Sequence, residues 1–244
     1  MNRFYIDEEY LMPDGLYLSP EDVHHAKNVL RLKVGDPVEI IHRRCRYAAA
    51  IAEISAEGIR VTPGSPLPST EPSLRITLFQ GLPKGDKMDW IVQKAVELGA
   101  DNIIPVQMSR SVVRLKPQDG RKKADRWRRI AREAGKQSGR CVLPDVSDPV
   151  AFASLSDHLS SLDAVVVPWE SCSCGGPKFF VSGHKDIHSL GIIIGPEGGI
   201  TDHEIAFLEK EKCIPVTLGP RILRTETAGL ASIAAFLSLY GEME

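Results

Sequence analysis

The chain has 244 residues, a formal net charge of −2 and an ordinary composition, with 43% hydrophobic and 25% charged residues. This length has room for one large domain or two modest ones, and it suffices to bury a core. No apolar run approaches the length of a bilayer span, and five irregularly spaced cysteines argue against a disulfide framework. The N-terminus carries acids where a signal peptide has basic and apolar regions, so we expect a soluble, cytoplasmic protein.

Residues 1–70 contain short apolar segments of strand length that are bounded by Gly, Asp and Pro. One helix is predicted among them, because Ser19 is a favourable N-cap residue and Pro20 suits the first helical position. This pattern predicts a small β-barrel with one helix. Prolines recur from Pro63 to Pro72, and that stretch is predicted to be a linker.

Residues 72–244 alternate between strand and helix patterns. Leu74, Ile76 and Leu78 alternate along a strand, and the next apolar stripe is typical of a helix that ends at Gly99. Later segments repeat the pattern, and the last helix is expected from about Thr225 to Tyr240. The alternation predicts an α/β domain with a mainly parallel sheet, in which ligands bind beyond the carboxyl ends of the strands.

A strongly basic band interrupts this slightly acidic chain. The segment Arg110–Arg140 holds twelve Lys and Arg against three Asp and Glu, a local charge of +9, so the remaining residues carry −11. A solvated helix face is the alternative explanation. We favour a nucleic-acid partner, because such a band is the electrostatic footprint expected for a phosphate backbone.

Two glycine-containing loops near the C-terminus form the most specific pattern in the sequence. Leu190–Gly199 and Leu218–Ala228 each combine a short apolar strand with a loop that runs into a helix, which presents bare backbone groups to a small polar ligand. The first loop lacks the Lys and Ser/Thr of a phosphate-binding P-loop, and Glu197 stands where an anion would bind. A positively charged ligand suits Glu197 better, and a sulfonium cofactor would fit, although glycine and glutamate alone do not prove it.

A second pattern superficially resembles a zinc site. Cys172 and Cys174 are followed by His184 and His188, but the two cysteines lie closer in sequence than zinc-binding pairs usually do. We therefore predict no metal site, and we expect residues 171–189 to form a polar surface segment between two core strands.

Five ordered motifs together resemble the RsmE family, and the similarity extends to Arg3 and to the segment His25–Arg31. The motifs are Gln93–Gly99, Arg110–Ser111, Glu133–Arg140, Gly195–Gly199 and Leu218–Ala228. Members of that family are S-adenosylmethionine-dependent methyltransferases that methylate N3 of a uridine in 16S ribosomal RNA of the small ribosomal subunit. The resemblance implies a PUA-like, RNA-binding β-barrel over residues 1–70. It further implies a SPOUT-type methyltransferase domain over residues 72–244, with a C-terminal trefoil knot and a homodimer interface.

The resemblance also implies a set of cofactor-binding residues. These are Pro168, Trp169, Glu170, Gly195, Pro196, Glu197, Gly198, Gly199, Leu218, Gly219, Ile222, Leu223, Thr227 and Ala228. Trp169 matches no family signature that we can identify, and it is equally interpreted as an ordinary buried aromatic residue.

Methyl transfer to N3 releases a proton and spreads negative charge onto the two neighbouring carbonyl oxygens, which a preorganised arginine would stabilise. Arg224 is the first candidate and Arg3 the second; Glu226 is either a proton acceptor or a carboxylate that complements the helix dipole, which we prefer. The RNA-binding candidates are Arg31, Arg110, Arg114, Arg126, Arg129 and Arg140. Two other functions stay open: methylation of transfer RNA at a ribose hydroxyl, and RNA binding without catalysis.

Overall fold

The structure is a computed structural model that describes residues 2–243. The chain divides into two compact units. The first comprises the residues up to Glu71 together with Gly139–Val142, and the second comprises Pro72–Ser138 and the chain from Leu143 onward. Each unit has its own buried apolar core.

The first unit is built on one six-stranded sheet. Its strands are β1 (Arg3–Tyr5), β2 (Leu11–Met12), β3 (Gly15–Tyr17), β4 (Pro37–His42), β5 (Cys45–Ile54) and β6 (Ile59–Leu67). Their order across the sheet is β1-β4-β5-β6-β3-β2, and β1 and β4 form the parallel pair. Helix α1 (Pro20–His24) begins at Ser19, whose hydroxyl accepts the amide of Asp22 as predicted, and it continues into a π-helical turn at His25–Val29.

The predicted linker after residue 62 is wrong in its first half, because β6 runs on to Leu67. Pro63 pairs with Ala49 of β5, and Pro66 pairs with Tyr47. On its other side β6 pairs with β3 at Arg60 and Val61, before either proline. Prolines are tolerated in this part of the strand because an edge position needs no amide donor on its open side.

The partly buried carboxylate of Glu71 attaches Gly139–Val142 to the rest of the first unit. Glu71 accepts hydrogen bonds from the Arg140 guanidinium (Nη2 to Oε2, 2.7 Å) and from the amides of Cys141 and Val142. The Tyr5 hydroxyl donates to the Arg140 carbonyl at 2.8 Å. These bonds explain why four residues beyond the basic helix belong with residues far earlier in the chain.

The second unit has a seven-stranded parallel sheet with helices between its strands, which confirms the predicted α/β architecture. Its strands are β7 (Arg75–Gly81), β8 (Asn102–Gln107), β9 (Asp145–Val146), β10 (Val150–Ala151), β11 (Ala164–Pro168), β12 (Ser189–Ile194) and β13 (Ile214–Val216). Its helices are α2 (Lys87–Leu98), α3 (Pro117–Ser138), α4 (Ser156–Leu159), α5 (Pro177–Gly183), α6 (Asp202–Lys210) and α7 (Thr225–Leu239). The order across the sheet is β10-β8-β7-β12-β11-β13, and β9 also pairs with β8.

Both faces of this sheet are buried. Ile192 and Ile193, consecutive on β12, belong to separate apolar clusters and are both fully buried. The first cluster includes α2, α3 and α7, and the second includes α4 and α6. Burial on two faces accounts for the continuous apolar runs of these strands. Helix α2 ends at Gly99, whose φ of 113° lies in the left-handed region, as predicted.

The interpretation of residues 171–189 as a polar surface segment is wrong for its middle part. Helix α5 inserts Phe180 into the core, where its ring meets Phe236 edge to face at 5.5 Å and stacks on His184 at 4.3 Å. Three adjacent apolar residues, Phe179–Val181, in a Gly- and Ser-rich stretch show no helical period, so sequence periodicity did not show this packing.

Helix α6 begins with the predicted capping box, which lies directly after the glycine loop of β12. Thr201 accepts the amide of Glu204, and the Glu204 carboxylate accepts the amide of Thr201. The other oxygen of Glu204 accepts the Ser109 amide at 2.8 Å, so one side chain ties the loop after β8 to α6. Burial alone would raise the pKa of Glu204, but hydrogen bonds from Ser109 and Thr201 outweigh it and hold the pKa below its ordinary value.

We expect Glu204→Gln to lower the free energy of unfolding by about 1–3 kcal/mol at neutral pH, because an amide group replaces an acceptor that faces buried donors. Because the pKa of Glu204 is lowered in the folded protein, the ionised carboxylate stabilises the wild type at pH values above the ordinary carboxyl pKa. This stabilisation is lost as pH falls through the folded-state pKa. The difference between the two proteins should therefore shrink in acid. Urea denaturation measures it, and exposed Glu209 on the same helix supplies the control Glu209→Gln; equal effects would contradict the assignment.

Candidate functional site

A cavity of about 480 Å³ lies at the carboxyl edge of the parallel sheet, where β7, β11 and β12 end side by side. The loop Gly195–Gly199 forms one wall, and the segment Ile222–Thr225 forms another. Pro168 and Glu170, which follow β11, also line it. A smaller cavity of about 70 Å³ shares residues with the first and extends to Trp169, Leu218 and Gly219. The sheet order therefore brings the two predicted loops together.

A buried chain of hydrogen bonds fixes these two walls to each other. Gln80, at the end of β7, donates from Nε2 to Thr225 Oγ1 at 2.8 Å, and that hydroxyl donates to the Gly195 carbonyl at 2.6 Å. Gln80 is fully buried, and Gly229 leaves room for it, since a Cβ there would lie 3.3 Å from Gln80 Oε1. Because buried polar groups are costly to leave unpaired, the first residue of α7 is held against the glycine loop.

Close backbone approaches explain several glycines in and beside the loop. A Cβ on Gly81 would lie 2.6 Å from the Pro196 nitrogen, and one on Gly198 would lie 2.8 Å from Arg110 Cβ. Gly199 has a φ of 73°, a left-handed conformation that favours glycine. The loop is therefore packed tightly against β7 and against the segment that follows β8.

An ion-pair cluster lies at the same edge. Lys87 Nζ is 2.9 Å from Glu197 Oε1 and 3.1 Å from Glu226 Oε2, and the Lys84 amide donates to Glu197 as well. Burial would raise the pKa of Glu197, but the hydrogen bonds from Lys87 and from backbone amides lower it overall. Hydrogen bonds to Glu197 and Glu226 raise the pKa of Lys87. The formal charges of Lys87, Glu197 and Glu226 sum to −1, and the Arg224 guanidinium lies 4.0 Å from Glu226 at the edge of the cluster.

Most residues predicted to bind a cofactor line these two cavities. Those lining the larger cavity are Pro168, Glu170, Gly195, Pro196, Glu197, Gly198, Gly199, Ile222, Leu223 and Ala228, and those added by the smaller are Trp169, Leu218 and Gly219. Thr227 lines neither and is exposed. Trp169 is half-buried: it lines the smaller cavity, and it also packs against the second apolar cluster.

The three catalytic candidates occupy different environments. The Arg224 side chain lines the cavity and is 82% exposed, and its guanidinium lies 4.0 Å from Glu226. Glu226 is the second residue of α7, which suits the helix-dipole interpretation, but it also pairs with Lys87. Arg3 belongs to the first unit, where its Nε donates to the buried carboxylate of Glu39 at 2.5 Å.

The RNA-binding candidates also differ in their surroundings. Arg31 and Arg129 are exposed, and Arg114 donates to the Ser109 carbonyl at 2.9 Å. Arg126 forms an ion pair with Asp89 of α2. Arg110 donates to the Gly198 carbonyl at 3.0 Å, which connects the start of the basic band to the cavity loop.

The assignment of Arg140 to RNA contact is wrong in this conformation. Its side chain is 4% exposed, and the guanidinium donates to the Glu71 carboxylate from both Nε and Nη2. Charge counting along the sequence could not distinguish this buried arginine from exposed ones, because its acidic partner lies 69 residues earlier.

Sequence reasoning missed Lys87, Gln80 and Thr225. Lys87 and Gln80 flank the loop after β7, and β7 lies next to β12, although more than 100 residues separate these strands in sequence. Thr225 and Thr227 lie in the same helical turn, so the sequence could not show which of them contacts the glycine loop. In the structure it is Thr225, whose hydroxyl donates to the Gly195 carbonyl. The available signal was the position of the Lys84–Lys87 segment after a predicted strand.

Comparison with known proteins identifies the family. Residues 70–237 match the family described as an RNA methyltransferase domain, and residues 18–63 match an RNA methyltransferase PUA domain. Ribosomal RNA small subunit methyltransferase E from Bacillus subtilis (strain 168) is 37% identical over 248 residues, covering 96% of this chain and 95% of the relative. The chain belongs to the ribosomal RNA small subunit methyltransferase E family. The resemblance seen in the motifs is thereby confirmed.

Two further members of this family support the assignment over the whole length. The protein of the same name from Buchnera aphidicola subsp. Acyrthosiphon pisum (strain APS) is 31% identical, covering 99% of this chain and 95% of the relative. The crystal structure of ribosomal RNA small subunit methyltransferase E from Neisseria gonorrhoeae, bound to S-adenosyl methionine, superposes with a TM-score of 0.79. It is 29% identical and covers 98% of each chain. Across residues 2–243, no helix is long and apolar enough to cross a membrane.

Gly81→Ala tests whether β7 must approach the glycine loop this closely. The new methyl group would press on the backbone of Pro196, which cannot rotate away as a flexible side chain can. We expect a loss of about 1–3 kcal/mol in the free energy of unfolding, as for other overpacked sites. Gly183→Ala is the control, since a Cβ at Gly183 meets nothing within 4 Å, and it should change stability by less than about 0.5 kcal/mol. Equal stability of the two variants, measured by urea denaturation, would contradict this close packing.

Proposed function

We propose that this protein uses S-adenosylmethionine to methylate N3 of a uridine in 16S ribosomal RNA of the small subunit, by direct in-line transfer. The observation that carries the proposal is that the two glycine loops meet in one cavity within a chain that matches its family relatives over nearly its full length. The Neisseria gonorrhoeae relative, solved with S-adenosyl methionine bound, supports the same cofactor here.

The cavity fits such a cofactor in size and in chemistry. Its volume of about 480 Å³ lies in the range of roughly 300–1,000 Å³ typical of small-molecule sites. Ile194, Ile222 and Leu223 supply apolar surface, and the loops supply backbone polar groups. The formal charge of −1 on the Lys87 cluster complements a sulfonium cation. Glu197 alone suggested this complementarity from sequence; the structure adds a second carboxylate, Glu226, and one compensating positive charge, Lys87.

S-adenosylmethionine would supply an electrophilic methyl group on a positively charged sulfur. The protein must position the uracil, allow the N3 proton to leave, and stabilise the negative charge that spreads onto the carbonyl oxygens. We assign that stabilisation to Arg224, which lines the cavity and is not held by a short ion pair. Arg3 is the weaker candidate, because Glu39 already accepts its Nε.

Glu226 is better suited to positioning than to proton acceptance. Its Oε2 lies 3.1 Å from the Lys87 ammonium, and its place in the first turn of α7 is electrostatically favourable. We therefore expect solvent or a group on the RNA, rather than this carboxylate, to accept the N3 proton.

RNA would be held by exposed basic residues of the band. Lys122, Lys123 and Arg129 of α3 are exposed, whereas Arg126 and Arg128 are paired with acids. The match of residues 18–63 to a PUA domain supports a contribution from the first unit, including Arg31. If this is so, affinity for RNA should fall steeply with salt, since each phosphate contact releases counterions.

Four further features are proposed because the chain resembles its family. They are a closed PUA-like barrel in residues 1–70, a trefoil knot in residues 72–244, a homodimer and a cytoplasmic location. The homodimer rests on the family resemblance alone. Light scattering of the purified protein tests the dimer.

The nucleotide product is tested in a strain that lacks the gene. Mass spectrometry of nucleosides from its 16S ribosomal RNA should show loss of N3-methyluridine, and a plasmid copy should restore it. Unchanged N3-methyluridine would reject the proposed product. Loss of a ribose-methylated nucleoside from transfer RNA would establish the alternative reaction instead.

Arg224→Ala should lower turnover about 100- to 1000-fold, because one preorganised group that stabilises developing charge is removed. Calorimetry should show little change in affinity for S-adenosylmethionine, since the Arg224 side chain is largely exposed. Lys210→Ala, at the exposed end of α6 and outside both cavities, is the control and should retain most activity. Equal losses of turnover and cofactor affinity in Arg224→Ala would reassign the residue to binding.

A further inference from the structure

Lys87 holds together three segments that the chain order keeps far apart. It is the first residue of α2, and its ammonium contacts Glu197 in the glycine loop after β12 and Glu226 in the first turn of α7. Glu197 is additionally held by the Lys84 amide, at 3.1 Å from its Oε1. The loop after β7, the glycine loop and α7 thus converge on one ammonium group.

The position of Lys87 is unfavourable for its own helix. A helix N-terminus carries partial positive charge and favours acidic side chains, so a lysine at the first position is expected to be destabilising there. Its N-cap residue, Asp86, makes no side-chain capping bond that would offset this. The compensation comes from outside α2, through Glu197 and Glu226. Lys87 destabilises the start of its own helix and lines the cavity. Its presence at this position is therefore better explained by a role in the cavity than by a role in helix α2.

The two carboxylates depend on the shared cation. The Glu197 and Glu226 side chains are 24% and 17% exposed, so water screens them only in part. Without Lys87, the two partly buried carboxylates would lose the cation they share, and only Arg224, 4.0 Å from Glu226 Oε1, would offset their mutual repulsion. With Lys87 in place, the same two charges draw the walls together.

We infer that Lys87 is a positioning residue for the cofactor cavity, because its ammonium binds Glu197 and Glu226 at once and sets the separation of the two walls. This inference rests on the cofactor in the proposed function, and it does not depend on which nucleotide is methylated. Lys87 acts through the two carboxylates and is not assigned a contact with the reacting atoms.

The test compares Lys87→Met, Glu226→Gln and the double variant with the wild type. Calorimetry with S-adenosylmethionine should show about tenfold weaker binding for Lys87→Met, since two partly screened ion pairs are lost and two like charges are left together. Glu226→Gln alone should cost about twofold. The double variant should bind several times more tightly than Lys87→Met, because removal of one carboxylate relieves the repulsion.

Lys94→Met is the matched control on the same helix. Lys94 is exposed to nearly the same extent as Lys87, 35% against 33% of the side chain, and it also forms an ion pair, with Glu97 at 2.8 Å. It does not line the cavity, so Lys94→Met should bind the cofactor as the wild type does. Turnover at saturating cofactor should stay within about threefold of wild type in Lys87→Met, which separates positioning from catalysis.

Three results would overturn the inference. They are cofactor affinity in Lys87→Met equal to that in Lys94→Met, no recovery in the double variant, and a large loss of turnover at saturating cofactor with unchanged affinity. The urea midpoints of the ligand-free proteins give a separate readout, in which the double variant should again exceed Lys87→Met. If the wild type bound no S-adenosylmethionine, the proposed function would fail, while these midpoints would still report whether Lys87 joins the two walls.

Discussion

The hydrogen bond from the Thr225 hydroxyl to the Gly195 carbonyl is the contact on which the candidate site depends. It joins the first residue of α7 to the glycine loop, and Gln80 fixes the same hydroxyl from the end of β7. Three strand or helix ends are therefore coupled through two buried bonds. Because these groups are shielded from water, breaking either bond would leave a buried polar atom unpaired, which costs more than the net value of a surface hydrogen bond.

Electrostatics at the outer side of the same junction adds a second constraint. Lys87 connects Glu197 and Glu226 across the two walls that Thr225 and Gly195 already join. The hydrogen bonds are buried or partly buried, whereas the ion pairs are partly exposed. The first set is largely insensitive to salt, whereas the second is screened by it. Added salt should therefore weaken the Lys87 ion pairs between the walls, while the Thr225–Gly195 hydrogen bond continues to join them.

The sequence predicted what depends on local chemistry and failed where partners are distant. The capping box at Thr201 and the left-handed end of α2 at Gly99 follow from a few adjacent residues, and both are confirmed. The meeting of the two glycine loops followed from the rule that parallel strands share a carboxyl edge. In contrast, Lys87 and Arg140 could not be assigned, because their partners are set by strand order and by a long-range carboxylate.

The charge state of the Lys87 cluster bears on how the proposed reaction would respond to pH. The pKa of Glu197 is lowered, so its charge is kept below the ordinary titration range of a glutamate. The pKa of Lys87 is raised, so its charge persists above the ordinary range of a lysine. Neither group changes its charge near neutrality, so the Lys87–Glu197 attraction is constant there. A change in rate near neutral pH would therefore not report on loss of the Lys87–Glu197 pair.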